Sequence, residues 1–298
     1  MRVALTHTTR LDYTADVAEG VMDLRLGPLS DAHQRWERYT LRVAPAAAVH
    51  AYTDGFGNTA HLISLARPHR YVEVVAEGMI ETLLEDPFAL PSEPPAPLTP
   101  AERTDYLSPA ALVPLHGPVA EMAAPFRPAS PQEAFASAQD MMALIHAEFT
   151  YRTGVTEVTS TVLDVLEGRE GVCQDFAHVM LGLCRAVGVP ARYVSGYIVP
   201  TAAAQQQIQG PQGQRQLQTL PRDDQPRRGG GASHAWIEAY TPTHGWRGFD
   251  PTNNLVANDK YVKVAIGRDY RDVPPHRGTF RGSAGEHLTV DVVAQRLD

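Results

Sequence analysis

The sequence predicts an α+β protein. An amino-terminal antiparallel β-sandwich (residues 1–85) is followed, across a proline-rich connector (86–131), by a core (132–298) in which a helix packs on an antiparallel sheet. Three observations carry this expectation. The first 85 residues are short β-prone runs separated by turn signals; 12 of the 24 prolines then fall between positions 87 and 131; beyond them the apolar spacing changes to three and four.

Strands are expected at 8–13, 37–43, 61–65 and 71–75, which mix β-branched, aromatic and polar residues with partial alternation. Gly27-Pro28 and Asp54-Gly55-Phe56-Gly57-Asn58 are the turns between them, and strands at this spacing suit a small sandwich. No acid, base and nucleophile cluster there, so this part reads as a structural or substrate-presenting module. Proline at the density of 86–131 resists helix interiors and central strands, which predicts an extended connector and the domain boundary. A helix follows at 133–149, with Phe135, Ala138, Met142, Ile145 and Phe149 on one face. A second spans 161–167, between Ser160 as N-cap and Gly168. A third spans 173–187, where Phe176, Ala177, Met180, Leu181, Cys184 and Val187 form one stripe and Gly188 and Pro190 stop it. After a strand at 191–199, residues 200–231 carry nine glutamines and end in three glycines, and they read as a mobile insertion. Strands resume at 233–240 and 246–250, with weaker signals at 261–266 and 287–293.

Composition narrows the function. A net charge of −8 without basic runs disfavours nucleic acid as a partner. No apolar run approaches the ~18 residues of a membrane span, since Arg185 interrupts the best one, and the first ten residues lack a signal-peptide pattern. A cytoplasmic location without membrane attachment is the expectation. The two cysteines, Cys173 and Cys184, lie about 16 Å apart if one helix carries both, too far for a disulfide. With no Cys-x-x-Cys or His-x-x-x-His spacing, neither a metal nor another cofactor is expected.

Three segments carry chemistry: 171–178, 233–236 and 245–252. The first puts Cys173 just after a glycine turn at the start of an apolar helix, where the dipole and unpaired N–H groups favour a thiolate and can hold an oxyanion. The other two read as the arms of a hairpin. A turn centred on Pro242 sets His234 opposite Asp250, so that the carboxylate orients the imidazole and His234 faces Cys173 as its base. The parity of this pairing puts 234, 236, 248 and 250 on one face. Gln174 and Asp175 are candidates to orient the helix start or the oxyanion site, and Trp236 to shield the ion pair. His178, five residues after Cys173, points elsewhere on the helix and reads as structural.

The run Gly171-Val172-Cys173-Gln174-Asp175-Phe176-Ala177-His178 carries a resemblance, together with the 191–197 strand, Ser233-His234-Ala235-Trp236 and Phe249-Asp250-Pro251-Thr252. In this order they are similar to the bacterial transglutaminase-like family, whose members are often described as cysteine proteases. The amino-terminal Leu24-Arg25-Leu26-Gly27-Pro28 and Gly57-Asn58 resemble the β-domain that precedes the core in that family. The resemblance implies a papain-like core and a Cys173, His234, Asp250 triad. It also implies acyl transfer from a peptide or carboxamide through a thioester on Cys173, with protease or amidase hydrolysis as the leading expectation and a protein or peptide as substrate. A cross-linking transglutaminase, with an amine as acceptor, uses the same residues. A non-catalytic scaffold that retains the fold is the alternative from another class.

Overall fold

The computed structural model describes residues 1–200, 228 and 233–297, so the expected insertion at 200–231 lies almost wholly outside the described residues. Alternating burial builds the amino-terminal part. In β1 (Arg2–Val17) every second residue from Val3 to Leu11 is buried, the period of a strand with one face on a core. β2 (Glu19–Leu24), β3 (Gln34–Ala44), β4 (Ala48–Thr53), β5 (Thr59–Leu65) and β6 (His69–Thr82) follow. They enter two four-stranded antiparallel sheets, each completed at one edge from the carboxy terminus by β14 (His276–Arg281) or β15 (Glu286–Arg296). The orders are β15-β1-β6-β3 and β14-β2-β5-β4. Leu11, Met22, Leu24, Ile63, Leu65, Val72 and Val74 join the two inner faces in one apolar cluster.

Residues 276–296 therefore depart from the expected 132–298 core: they pair with β2 and β1 and close the sandwich. Without β15, the length of β1 from Val3 to Tyr13 would expose unpaired backbone. Because β15 buries only Val292 and Ala294, little in its pattern announces the partner.

The proline-rich stretch is not extended throughout. It holds α1 (Pro100–Leu107) and α2 (Pro118–Ala123). Pro100 and Pro118 stand at first helical positions, where a missing N–H removes no hydrogen bond and a preset φ helps. Thr99 and Glu102 close a capping box on α1. Here proline starts helices.

The core comprises α3 (Ala134–Glu148), β7 (Thr150–Tyr151), α4 (Val162–Gly168), β8 (Glu170–Gly171) and α5 (Cys173–Ala186). Its sheet is formed by β9 (Ala191–Ile198), β10 (His234–Thr241), β11 (Gly245–Asp250), β12 (Leu255–Val256) and β13 (Tyr261–Gly267), in the antiparallel order β12-β11-β10-β9-β13. α5 does not present the single stripe expected of it. Every residue from Asp175 to Arg185 is buried, because α1–α4 pack around it and β9 and β10 lie against it. Arg185, the residue that breaks the apolar run, is itself buried. Its guanidinium donates to the carbonyls of Ala191, Ser108 and Arg268, at 2.6–3.3 Å, which offsets the loss of water. Among the described residues no helix is long and apolar enough to cross a membrane.

The sheet's other face meets the sandwich through Val3, Leu5, Ile80 and Val292 against Tyr197, Val199, Val262 and Val264. β13 is an edge strand, and two buried amides from the sandwich cap it. Gln34 donates to the Lys263 carbonyl and accepts its N–H, both at 2.8 Å. Asn58 does the same for Ile266, again at 2.8 Å. Asn58→Ala removes a donor and an acceptor from a site with no water access. It should lower the unfolding free energy by about 1–3 kcal/mol, read from urea denaturation midpoints; an unchanged midpoint refutes the cap.

Candidate active site

The site begins with how α5 starts. Asp175 turns back to accept the Val172 N–H at 2.8 Å and the Thr156 hydroxyl at 2.7 Å. Burial raises its pKa, while those two bonds favour the charged form. A Cβ on Gly171 would lie 2.6 Å from the same carboxylate oxygen, so the glycine of the motif clears space for the cap. Cys173 is the first residue of the helix, where N–H groups have no intrahelical acceptor. It is half-buried, whereas Cys184 is fully buried, with Sγ 3.9 Å from the Met141 sulfur.

The hairpin is shifted by two residues from the expected pairing. β10 and β11 pair as Ile237↔Phe249 through Thr241↔Gly245, centring the turn on Thr243, and His234 lies opposite Gly196 of β9. A shift of two preserves parity, so His234 and Asp250 stay on one face as diagonal neighbours within side-chain reach. His234 Nε2 donates to Asp250 Oδ2 at 2.8 Å, and both side chains are 0% exposed.

Asp250 is saturated. Oδ1 accepts the backbone N–H groups of Thr252 and Asn253, at 2.9 and 3.2 Å. Oδ2 accepts Asn253 Nδ2 at 2.7 Å and the Tyr261 hydroxyl at 2.9 Å, in addition to the imidazole. Burial alone would raise its pKa, but the His234 charge and these bonds hold it below the ordinary carboxylate value. Burial alone would lower that of His234; the Asp250 charge and hydrogen bond outweigh it, Cys173 acts in the same direction, and the result is about 10. Asp250 occupies Nε2, and Nδ1, the nitrogen left for Cys173, has no hydrogen-bond partner among the described residues.

Trp236 lies under the imidazole, with ring centroids 6.1 Å apart and planes 24° from parallel. Two glycines flank it: a Cβ at Gly196 would fall 2.1 Å from the Val262 carbonyl and 2.5 Å from the indole, and one at Gly248 would fall 2.5 Å from Ala257 Cβ and 3.1 Å from the indole Nε1. The structure thus brings Cys173, His234 and Asp250 together, with Trp236 as the floor. Asp175 acts on the helix start. Gln174 does not join them, because its amide donates to the Val158 carbonyl at 3.2 Å. His178 accepts the Tyr270 N–H at 3.1 Å, and burial pushes its pKa down to about 3, as suits a structural histidine.

Five contributors escaped the sequence reading: Thr156, Asn253, Tyr261, Tyr151 and Tyr193. Asn253 had a local signal in the turn-forming run Asp250-Pro251-Thr252-Asn253. Tyr151 comes close because β7 pairs with β8 two residues before the cysteine, Tyr151 opposite Gly171. Burial first, and the Cys173 charge second, raise the pKa values of both Tyr151 and Tyr193. Among the described residues no group of three or more His, Cys, Asp or Glu is arranged to hold a metal ion.

The two thiols should differ sharply. Burial pushes the Cys184 thiol up to about 12 and shuts out reagent. A brief exposure of the native protein to iodoacetamide near neutral pH should modify Cys173 and spare Cys184, as peptide mapping reads directly. Equal labelling would refute the assignment of the two environments.

Comparison with known proteins identifies two regions of the chain. Residues 121–251 match the family model described as the transglutaminase-like superfamily, and residues 3–81 match the bacterial transglutaminase-like N-terminal region. An uncharacterized protein of Mycobacterium tuberculosis is 31% identical over 306 aligned positions, covering 98% of this chain and 91% of that protein. One from Mycobacterium leprae is 31% identical over 300, covering 99% of each. A crystal structure from Cytophaga hutchinsonii, described as a "putative cysteine protease", superposes with a TM-score of 0.70 over 100% of this chain and 92% of that one. At 20% identity, that likeness speaks for the fold.

Proposed function

Because this chain belongs to the transglutaminase-like superfamily, we propose that it is a thiol enzyme that transfers an acyl group from a peptide or carboxamide, through a thioester on Cys173, to water. One observation carries the reading: the fully buried His234–Asp250 pair, 2.8 Å apart, lies beside the cysteine that opens a buried helix. In the first half-reaction the Cys173 thiol passes its proton to His234 and the sulfur attacks the carbonyl carbon. The N–H groups at the start of α5 stabilise the oxyanion, His234 protonates the departing amine, and the C–N bond breaks. In the second, His234 takes a proton from water, which attacks the thioester; the acid leaves and the thiol returns. Asp250 keeps the imidazole oriented and stabilises its charged form.

The test is to incubate the protein with a cell lysate, quench in acid and map Cys173 by mass spectrometry. The expected result is an acyl adduct on Cys173 that hydroxylamine removes and that His234→Ala fails to form. Turnover in ¹⁸O-labelled water should place the label in the released acid. Transfer of the acyl group to an added amine in preference to water overturns the hydrolytic assignment, and no adduct on Cys173 overturns the mechanism.

A further inference from the structure

We propose that Tyr261 is a positioning residue that moderates the hold of Asp250 on the His234 proton. The inference rests on the function proposed above. Three donors share Asp250 Oδ2: His234 Nε2, Asn253 Nδ2 and the Tyr261 hydroxyl, at 2.8, 2.7 and 2.9 Å. Asn253 is a local partner, three residues along the chain. Tyr261 arrives from the far edge of the sheet, as the first residue of β13.

The tyrosine does two things at once. Its ring meets Trp236 edge-on, with centroids 5.3 Å apart and planes at 75°, and Trp236 is the floor of the imidazole. Its hydroxyl directs a partial positive charge at the oxygen that holds the imidazole N–H. A hydrogen bond to a carboxylate stabilises the anion and lowers its basicity. Because the Asp250 charge at Nε2 stabilises the imidazolium as a whole, a less basic carboxylate lets the ring give up its Nδ1 proton more readily. A general acid works best when its affinity for the proton lies near the working pH. Unmoderated, a buried aspartate would hold the imidazolium too tightly for transfer to a leaving amine.

The other groups facing the pair are few. Cys173 opens α5; Tyr151 of β7 senses both Cys173 and Asp250 and lies beneath the Arg228 guanidinium, 4.9 Å from its ring centroid. His146 of α3 sits with Nδ1 3.2 Å from the Thr252 carbonyl. None of them donates to Oδ2 among the described residues, so deleting the Tyr261 hydroxyl leaves that oxygen with His234 and Asn253 as its described donors.

The test is Tyr261→Phe, which keeps the ring on Trp236 and deletes the hydroxyl. The His234 imidazole is followed by NMR of the full-length protein with labelled histidine, its resonance identified by its absence in His234→Gln. In Tyr261→Phe the proton should be held about three- to tenfold more tightly, raising the titration midpoint by about 0.5–1 pH unit. kcat on the substrate identified by trapping should fall while KM stays within about twofold. Asn253→Ala removes the other side-chain donor from the same oxygen and should move the midpoint the same way. A midpoint that is unchanged or lowered in Tyr261→Phe overturns the inference, since a purely packing role leaves it in place. Failure of the underlying function looks different: wild type itself would form no acyl adduct on Cys173.

Discussion

His234→Ala should lower kcat/KM by about 10³–10⁴-fold on the substrate identified by trapping, with the fold retained. In the proposed mechanism the imidazole is the group, among the described residues, that gives a proton to the leaving amine and takes one from water. The loss should therefore appear in kcat, and the rate of Cys173 alkylation should fall with it. Circular dichroism and a urea midpoint establish that the variant is folded. A kcat/KM within about tenfold of wild type would sink the proposed mechanism.

Asp250→Ala should be milder than His234→Ala in catalysis, because the aspartate orients and stabilises but moves no proton. In stability it should be the more costly of the two. The side chain is completely buried and takes five hydrogen bonds, three of them at one oxygen. Removing it takes the acceptor away from five donors, three of them on the buried residues His234, Thr252 and Tyr261, and one of those a charged imidazolium. Breaking a buried pair from one side costs about 3–5 kcal/mol. The pH dependence has a definite sign. The folded His234 pKa is raised, so its contribution is complete below the unfolded value of about 6.5 and is lost as pH rises towards about 10. The folded Asp250 pKa is lowered, so its contribution is complete above the unfolded value and is lost as pH falls. Urea denaturation of wild type and Asp250→Ala should therefore differ most between about pH 4 and 6.5 and converge towards pH 10. A gap that widens with rising pH would contradict the ion pair.

Local chemistry made much of the site legible. A glycine before Val172-Cys173 and an acid two residues after the cysteine are both consequences of one helix start, whose hydrogen bonds span only four residues. The hairpin could be read because strands alternate with a period of two: Trp236 and Asp250 share a face with His234 even though the turn lies one residue later than expected. Register is harder. Pro242 marks the turn but does not decide whether it is the middle residue or the first, and Gly245, at φ +69°, closes the three-residue turn that begins with it.

Where the sequence misleads, composition stands in for geometry. Proline density between 87 and 131 suggests an extended chain, but whether a proline breaks a helix or starts one depends on its position, and Pro100 and Pro118 start theirs. The stripe expected on α5 gives way to burial on every side, because periodicity reports one neighbour and α5 has layers of neighbours all around.

The sequence by itself determined the order of the architecture, the helix that carries Cys173, and the face that His234 shares with Asp250. Each follows from rules that act over a few residues: hydrophobic period, capping, turn chemistry. Only the tertiary structure decided that β14 and β15 return to the sandwich, that Gln34 and Asn58 cap β13, and that Tyr261 reaches Asp250. Those contacts join residues 11 to 293 positions apart. The energy that selects them is the cost of leaving buried edges, amides and carboxylates unpaired, and it exists only once the layers have closed on one another.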